Sequence, residues 1–363
     1  MINKKMLQEK DKSLLVVPEK HTEMSSREII TRVIEHKDAP RIGFDFLDPH
    51  EKDILQLSLN LFRHPQPQYK LFGHYQELLD KVPWFQGEVR VDNIGNIIGR
   101  FEGKTKGECI LGVLQNDWKD LDSFEFPEFD ESYMNQIKAA GYGATDKFFT
   151  VYPPVAVFST LRDARLMDNA LADTLMEPEA VQFFLEKVEK VLLKSVNFAC
   201  EIGAQGMWLV DDWGTQQGPF ISPDSFRELF KPVYKNVADA LHERGMKLIL
   251  HSCGLIWKLI PDMIDAGIDV FQFDQPELSG SENLAKTFGK KLTMYSSVDI
   301  QKVMATGDRQ AIEATAHQMI QAFKTYADGA LIARDYPAWD DINVKPEWAD
   351  WARNVFLEEG WYR

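Results

Sequence analysis

Cysteine is scarce in this chain. The three present, Cys109, Cys200 and Cys253, are spread over 363 residues and make no disulfide framework, so a reducing compartment suits them. Long apolar runs are also missing. No stretch would span a bilayer, and the short cluster Leu14 to Pro18 is too small for a signal-peptide core. Residues 1–24, with five lysines in the first twenty, are read as a tail, and the protein is expected in the cytoplasm. Basic charge is in deficit, with 41 Lys and Arg against 56 Asp and Glu and a net charge of -15. That balance argues against nucleic acid or an anionic membrane as a partner. A glycine-rich phosphate loop is absent too, because Gly95 and Gly99 fall in a hairpin-like stretch, residues 89–101.

What is present is an alternation of short apolar runs with helical periods. Strands are expected at Phe148 to Tyr152, Met207 to Asp211, Lys247 to Cys253, Val270 to Asp274, Leu292 to Ser296 and Ala330 to Ala333. Each is short and mostly apolar, as strands covered on both faces should be. Between them lie helices such as Pro178 to Ile202, where Val181, Phe184, Leu185, Val188, Val191, Leu192 and Val196 recur at three and four. Arg41 to Phe46 supplies a first strand, and an eighth is sought between residues 86 and 115. The fold class is therefore α/β, a (β/α)8 TIM barrel with an N-terminal elaboration over about 47–145, in one domain from 25 to 363.

In such a barrel the loops after the strands build the active-site face. The expected strand ends here are crowded with polar residues: Asp45, Asp211-Asp212, His251-Ser252-Cys253, Gln272 with Asp274, Ser296 and Arg334-Asp335. His251 and Cys253 stand out. Side chains at i and i+2 of an extended chain share a face, so one cation could reach both an imidazole and a thiol. The plainer alternative is a hydrogen-bonded histidine beside a buried thiol. A carboxylate pair drawn from Asp211, Asp212 and Asp274 could do acid and base work, and Asp45, Gln272, Ser296 and Arg334 could hold a substrate.

The order of these motifs resembles the uroporphyrinogen decarboxylase superfamily, and more closely its methyltransferase-like branch. The matching pieces are Ser26-Arg27-Glu28, Asp92 with Gly95, Asp211-Asp212-Trp213-Gly214-Thr215-Gln216, Ile221-Ser222-Pro223, His251-Ser252-Cys253-Gly254, Gly267-Ile268-Asp269 and Val298-Asp299. The resemblance implies a zinc ion on His251 and Cys253, with a methyl group moving between a corrinoid carrier protein and a small thiol or folate. Homodimers would also fit. The branch takes its third zinc ligand from a cysteine after the last strand, where this chain has Arg334-Asp335-Tyr336. Asp335 is therefore the expected third ligand, as zinc accepts carboxylates. The carrier is expected to dock on the loops 213–220 and 336–341. A metal-free carboxy-lyase and a non-catalytic binding barrel remain alternatives. Against the first stands the missing arginine-rich motif around Arg41 to Pro49.

Overall fold

The structure, a computed structural model, describes residues 23–101 and 106–362, so nearly all of the expected tail lies outside the described residues. Eight parallel strands form the central sheet: β1 (Gly43–Asp45), β2 (Ile54–Ser58), β3 (Phe148–Tyr152), β4 (Gly206–Val210), β5 (Lys247–His251), β6 (Val270–Phe273), β7 (Thr293–Ser296) and β8 (Leu331–Arg334). They run in the spatial order β1-β8-β7-β6-β5-β4-β3-β2, which curls them into a nearly closed barrel. Across the remaining seam, Asp53 N donates to Phe44 O at 2.7 Å and Phe46 N to Glu51 O at 3.0 Å.

One strand was expected in the wrong place. The eighth is not between 86 and 115 but at Ile54–Ser58, pairing with β3 from Ile54↔Phe148 to Ser58↔Tyr152. The stretch 88–111 instead forms an antiparallel three-stranded sheet of Glu88–Val91, Ile97–Arg100 and Glu108–Leu111. The elaboration therefore begins after β2. No helix separates β1 from β2, so the usual βαβ rhythm gives no hint of a parallel strand there.

Strand parity sets every side chain's destination, since alternate residues face opposite sides. Ile54, Phe148, Trp208, Ile249, Val270 and Ile332 point inward and cluster with Ile29, Ile30, Val33 and Ile34. Those four belong to the helix Ser26–Ile34, which plugs the amino-terminal end of the barrel. Burying each such side chain contributes about 1.5–3 kcal/mol. Outward residues such as Phe44, Phe149, Met207, Leu248, Phe271, Met294 and Leu331 pack under the helical layer, with Pro178–Glu201 as its longest member. Above the apolar plug, the inward register continues into polar residues at the carboxyl-terminal mouth.

Candidate metal centre at the barrel mouth

Following the inward register up each strand gives Asp45 on β1, Gln56 on β2, Tyr152 on β3, Asp212 just past β4, and His251 with Cys253 from β5. Gln272 with Asp274 comes from β6, Tyr295 from β7 and Arg334 from β8. Three of these converge. Asp212, His251 and Cys253 each place one ligand-type atom within 4.8 Å of the others. His251 Nε2 lies 3.3 Å from Asp212 Oδ1 and 3.6 Å from Cys253 Sγ.

The loops bring them together by close backbone approach. Cys253 N donates to Asp212 Oδ1 at 2.9 Å, Trp213 N to Ser252 Oγ at 3.0 Å, and Leu255 N to Thr215 O at 2.7 Å. Gly254 has φ +82° and rests against Gly214 with no room for a Cβ. Trp213 itself is fully buried among Phe158, Phe226 and Phe230, which anchors the loop from below.

A relay behind His251 sets its tautomer. The Gln272 amide nitrogen donates to Asp274 Oδ1 at 2.8 Å, which turns the Gln272 carbonyl oxygen toward His251 Nδ1. Nδ1 is then the donor, and Nε2 is left toward Asp212 and Cys253. Metal-bound histidines are held in this way, by a partner on the other ring nitrogen.

The electrostatics agree with a tight cluster. Burial pushes the Asp212 carboxyl up, but the hydrogen bond and charge of His251 and the Cys253 amide outweigh it and hold it down to about 2. His251 is pushed down by burial, yet the hydrogen bond it donates to Asp212 leads a set of effects that raise it well above 6.5. Burial raises the Cys253 thiol. Without a cation, the histidine proton closes an ion pair with Asp212.

These residues fit zinc. Bond lengths of about 2.0–2.1 Å to N and O and about 2.3 Å to S put tetrahedral ligand atoms roughly 3.3 Å apart for N and O, and roughly 3.6 Å for N and S. The observed separations of 3.3 and 3.6 Å match. An aspartate and a thiolate also offset both charges of the ion, and three protein ligands leave a fourth position open.

Several expected site residues go elsewhere. Asp335 is not brought to the pair, because it follows inward-facing Arg334 and so points outward. There it makes a buried ion pair with Arg353 at 2.9 Å and accepts from Leu47 N at 2.9 Å. Asp211 points outward by the same rule. Fully buried, it accepts from Val157 N at 3.0 Å, Ser159 N at 2.7 Å and the Tyr234 hydroxyl at 2.6 Å, capping the helix Phe158–Arg165. Ser296 Oγ lies against the backbone oxygens of Phe273 and Ser297 at 2.7 and 2.8 Å. Asp274 holds Gln272 and lies outside the ligand cluster. Gln56, Tyr152 and Tyr295 were missed, although their parity with Asp45 and Arg334 could have shown them.

Fold and site thus define an eight-stranded α/β barrel with a His, Cys and Asp cluster at its carboxyl-terminal mouth. The family model for uroporphyrinogen decarboxylase (URO-D) matches residues 149–332, half of the chain, and the chain belongs to that family. A stretch of 146 residues, 40% of the chain, is 24% identical to the methylated-thiol–coenzyme M methyltransferase of Methanosarcina mazei. It spans only 38% of that relative's length. A solved methyltransferase from Methanosarcina mazei has the same fold, with a TM-score of 0.63, 12% identity, and coverage of 93% of this chain and 99% of that one. Among the described residues, no helix is long and apolar enough to cross a membrane.

Proposed function

We propose that this protein is a zinc-dependent methyltransferase, moving a methyl group between a corrinoid held by a carrier protein and a small thiol. The observation that carries the reading is the cluster of Asp212, His251 and Cys253 with ligand-type spacing at the mouth of a family barrel. When bound, the zinc would hold the thiol substrate as a thiolate at neutral pH. The chain's own residues do the rest. His251 offers Nε2 because Gln272 and Asp274 fix its ring. Asp212 is kept ionised, so it is ready as an oxygen ligand. A cavity of about 250 Å³ opens between Tyr152, Trp208 and Val210 and the Asp92–Asn96 turn, but none of the three cluster residues lines it. The carrier would cover the mouth. In the loop 213–220, Trp213 is buried, so the exposed turn Thr215–Gln217 is the part left to meet it.

The test is to load the full chain with zinc and supply methylcobalamin with a small thiol, following loss of the methyl-cobalt absorbance. Turnover that disappears with a chelator and returns with zinc supports the reading. Turnover that ignores the chelator removes the zinc role, and decarboxylation without metal would favour the carboxy-lyase. No turnover of any kind, with no effect of Cys253→Ser on stability, would favour a binding barrel.

A further inference from the structure

Opposite the zinc-type cluster, the mouth carries two opposite charges that do not pair. Asp45 and Arg334 are register partners on adjacent strands, and both face inward. No ion pair joins them. Arg334 donates from Nε to Asp335 O at 3.0 Å and lies 5.5 Å over the Tyr295 ring. Its two terminal nitrogens make no hydrogen bond to any described residue. Asp45, only 8% exposed, has its Oδ2 occupied by the Tyr295 hydroxyl and by Gln56 Nε2 at 3.2 Å. Its Oδ1 is buried without a hydrogen-bond partner, since Lys52 Nζ comes no nearer than 3.9 Å.

A buried carboxylate oxygen without a hydrogen bond is costly, and a persistent one points to something that completes it. The burial that raises the Asp45 pKa is a penalty that a cationic donor at Oδ1 would relieve. The free fork of one arginine suits a planar carboxylate, which it can bind through two parallel hydrogen bonds. A ligand satisfying both carries a cation and an anion on neighbouring atoms.

We propose that the methyl acceptor is an α-amino acid thiol, its carboxylate on Arg334 and its ammonium on Asp45 Oδ1. This rests on the methyltransferase reading for the thiol, while the charged end stands on Asp45 and Arg334 alone. The two halves of the mouth then divide the work. The Asp212, His251 and Cys253 side takes the sulfur, and the Asp45 and Arg334 side takes the amino acid head.

The experiment is calorimetric titration of the full chain, with and without zinc, using L-homocysteine, 4-mercaptobutyrate, which lacks the amine, and 3-mercaptopropylamine, which lacks the carboxylate. L-2-aminobutyrate, which lacks the sulfur, is the fourth probe. The expected result is that L-homocysteine binds zinc-loaded protein at least tenfold more tightly than either truncated thiol. Arg334→Gln should abolish its advantage over 3-mercaptopropylamine, and Asp45→Asn its advantage over 4-mercaptobutyrate. Equal binding of the three thiols to the wild-type protein overturns the proposal even if a variant fails to fold, as do ratios that the variants leave unchanged. If thiol binding proves independent of zinc while L-2-aminobutyrate still needs Asp45 and Arg334, the metal reading fails and this one stands.

Discussion

A Cβ added to Gly254 would stand 2.2 Å from the carbonyl carbon of Gly214. That contact is where the loop after β4 crosses the loop after β5, and it is what places Asp212 beside His251 and Cys253. Gly254→Ala would force two backbones apart from a positive φ. It should destabilise the fold by about 2 kcal/mol or more, read as a lower urea midpoint, and it should weaken zinc binding as the loops separate. A variant as stable as the wild type would mean the crossing is not tight.

Gln272 touches His251 rather than the ion site, yet it decides which ring nitrogen is free. Gln272→Leu should lower zinc affinity about 10- to 100-fold, measured by competition with a chromophoric chelator. Unchanged affinity would show that the ring is oriented by something else.

His242 links pH to the anchoring of β5. The hydrogen bond that His242 donates to Asp269 raises its pKa above 6.5, against the effect of burial, and the same Asp269 accepts from Leu248 N at 2.8 Å. A histidine whose folded pKa is raised stabilises most when protonated. Its contribution is full below 6.5 and is lost as pH rises through the raised value. The stability gap between wild type and His242→Gln should therefore shrink from pH 6 to pH 9 in urea titrations. A gap that grows with pH contradicts this.

Much of the fold was legible because buried parallel strands announce themselves as short apolar runs between helical periods. Seven strands fell within a residue or two of their observed ends. Ile54–Ser58 escaped because its alternation of Ile54 and Gln56 with Leu55 and Leu57 is short and follows β1 without a helix. In the site, the pair His251 and Cys253 was legible from i, i+2 spacing. Its partner was open to the same arithmetic: with Trp208 inward, Asp212 is inward and Asp211 is not. What no local pattern could show is the Arg353 guanidinium waiting for Asp335, because it comes from a helix packed on the outside of the barrel.

Asp335 and Asp212 consequently have separable roles. Asp335→Asn breaks a buried pair in which both side chains are almost wholly enclosed, and should destabilise the fold by about 3–5 kcal/mol while leaving zinc affinity near the wild-type value. Denaturation and metal titration on the same preparation make the comparison. A large loss of zinc binding without loss of stability would restore Asp335 as the ligand.

The most direct test of the account is the zinc content and affinity of the wild-type protein beside Asp212→Ala, His251→Ala and Cys253→Ala. One ion per chain in the wild type, with affinity falling at least a hundredfold in each variant, is the predicted result. Wild-type protein that takes up no zinc, or an Asp212→Ala variant that binds it as tightly as before, would contradict the three-residue centre.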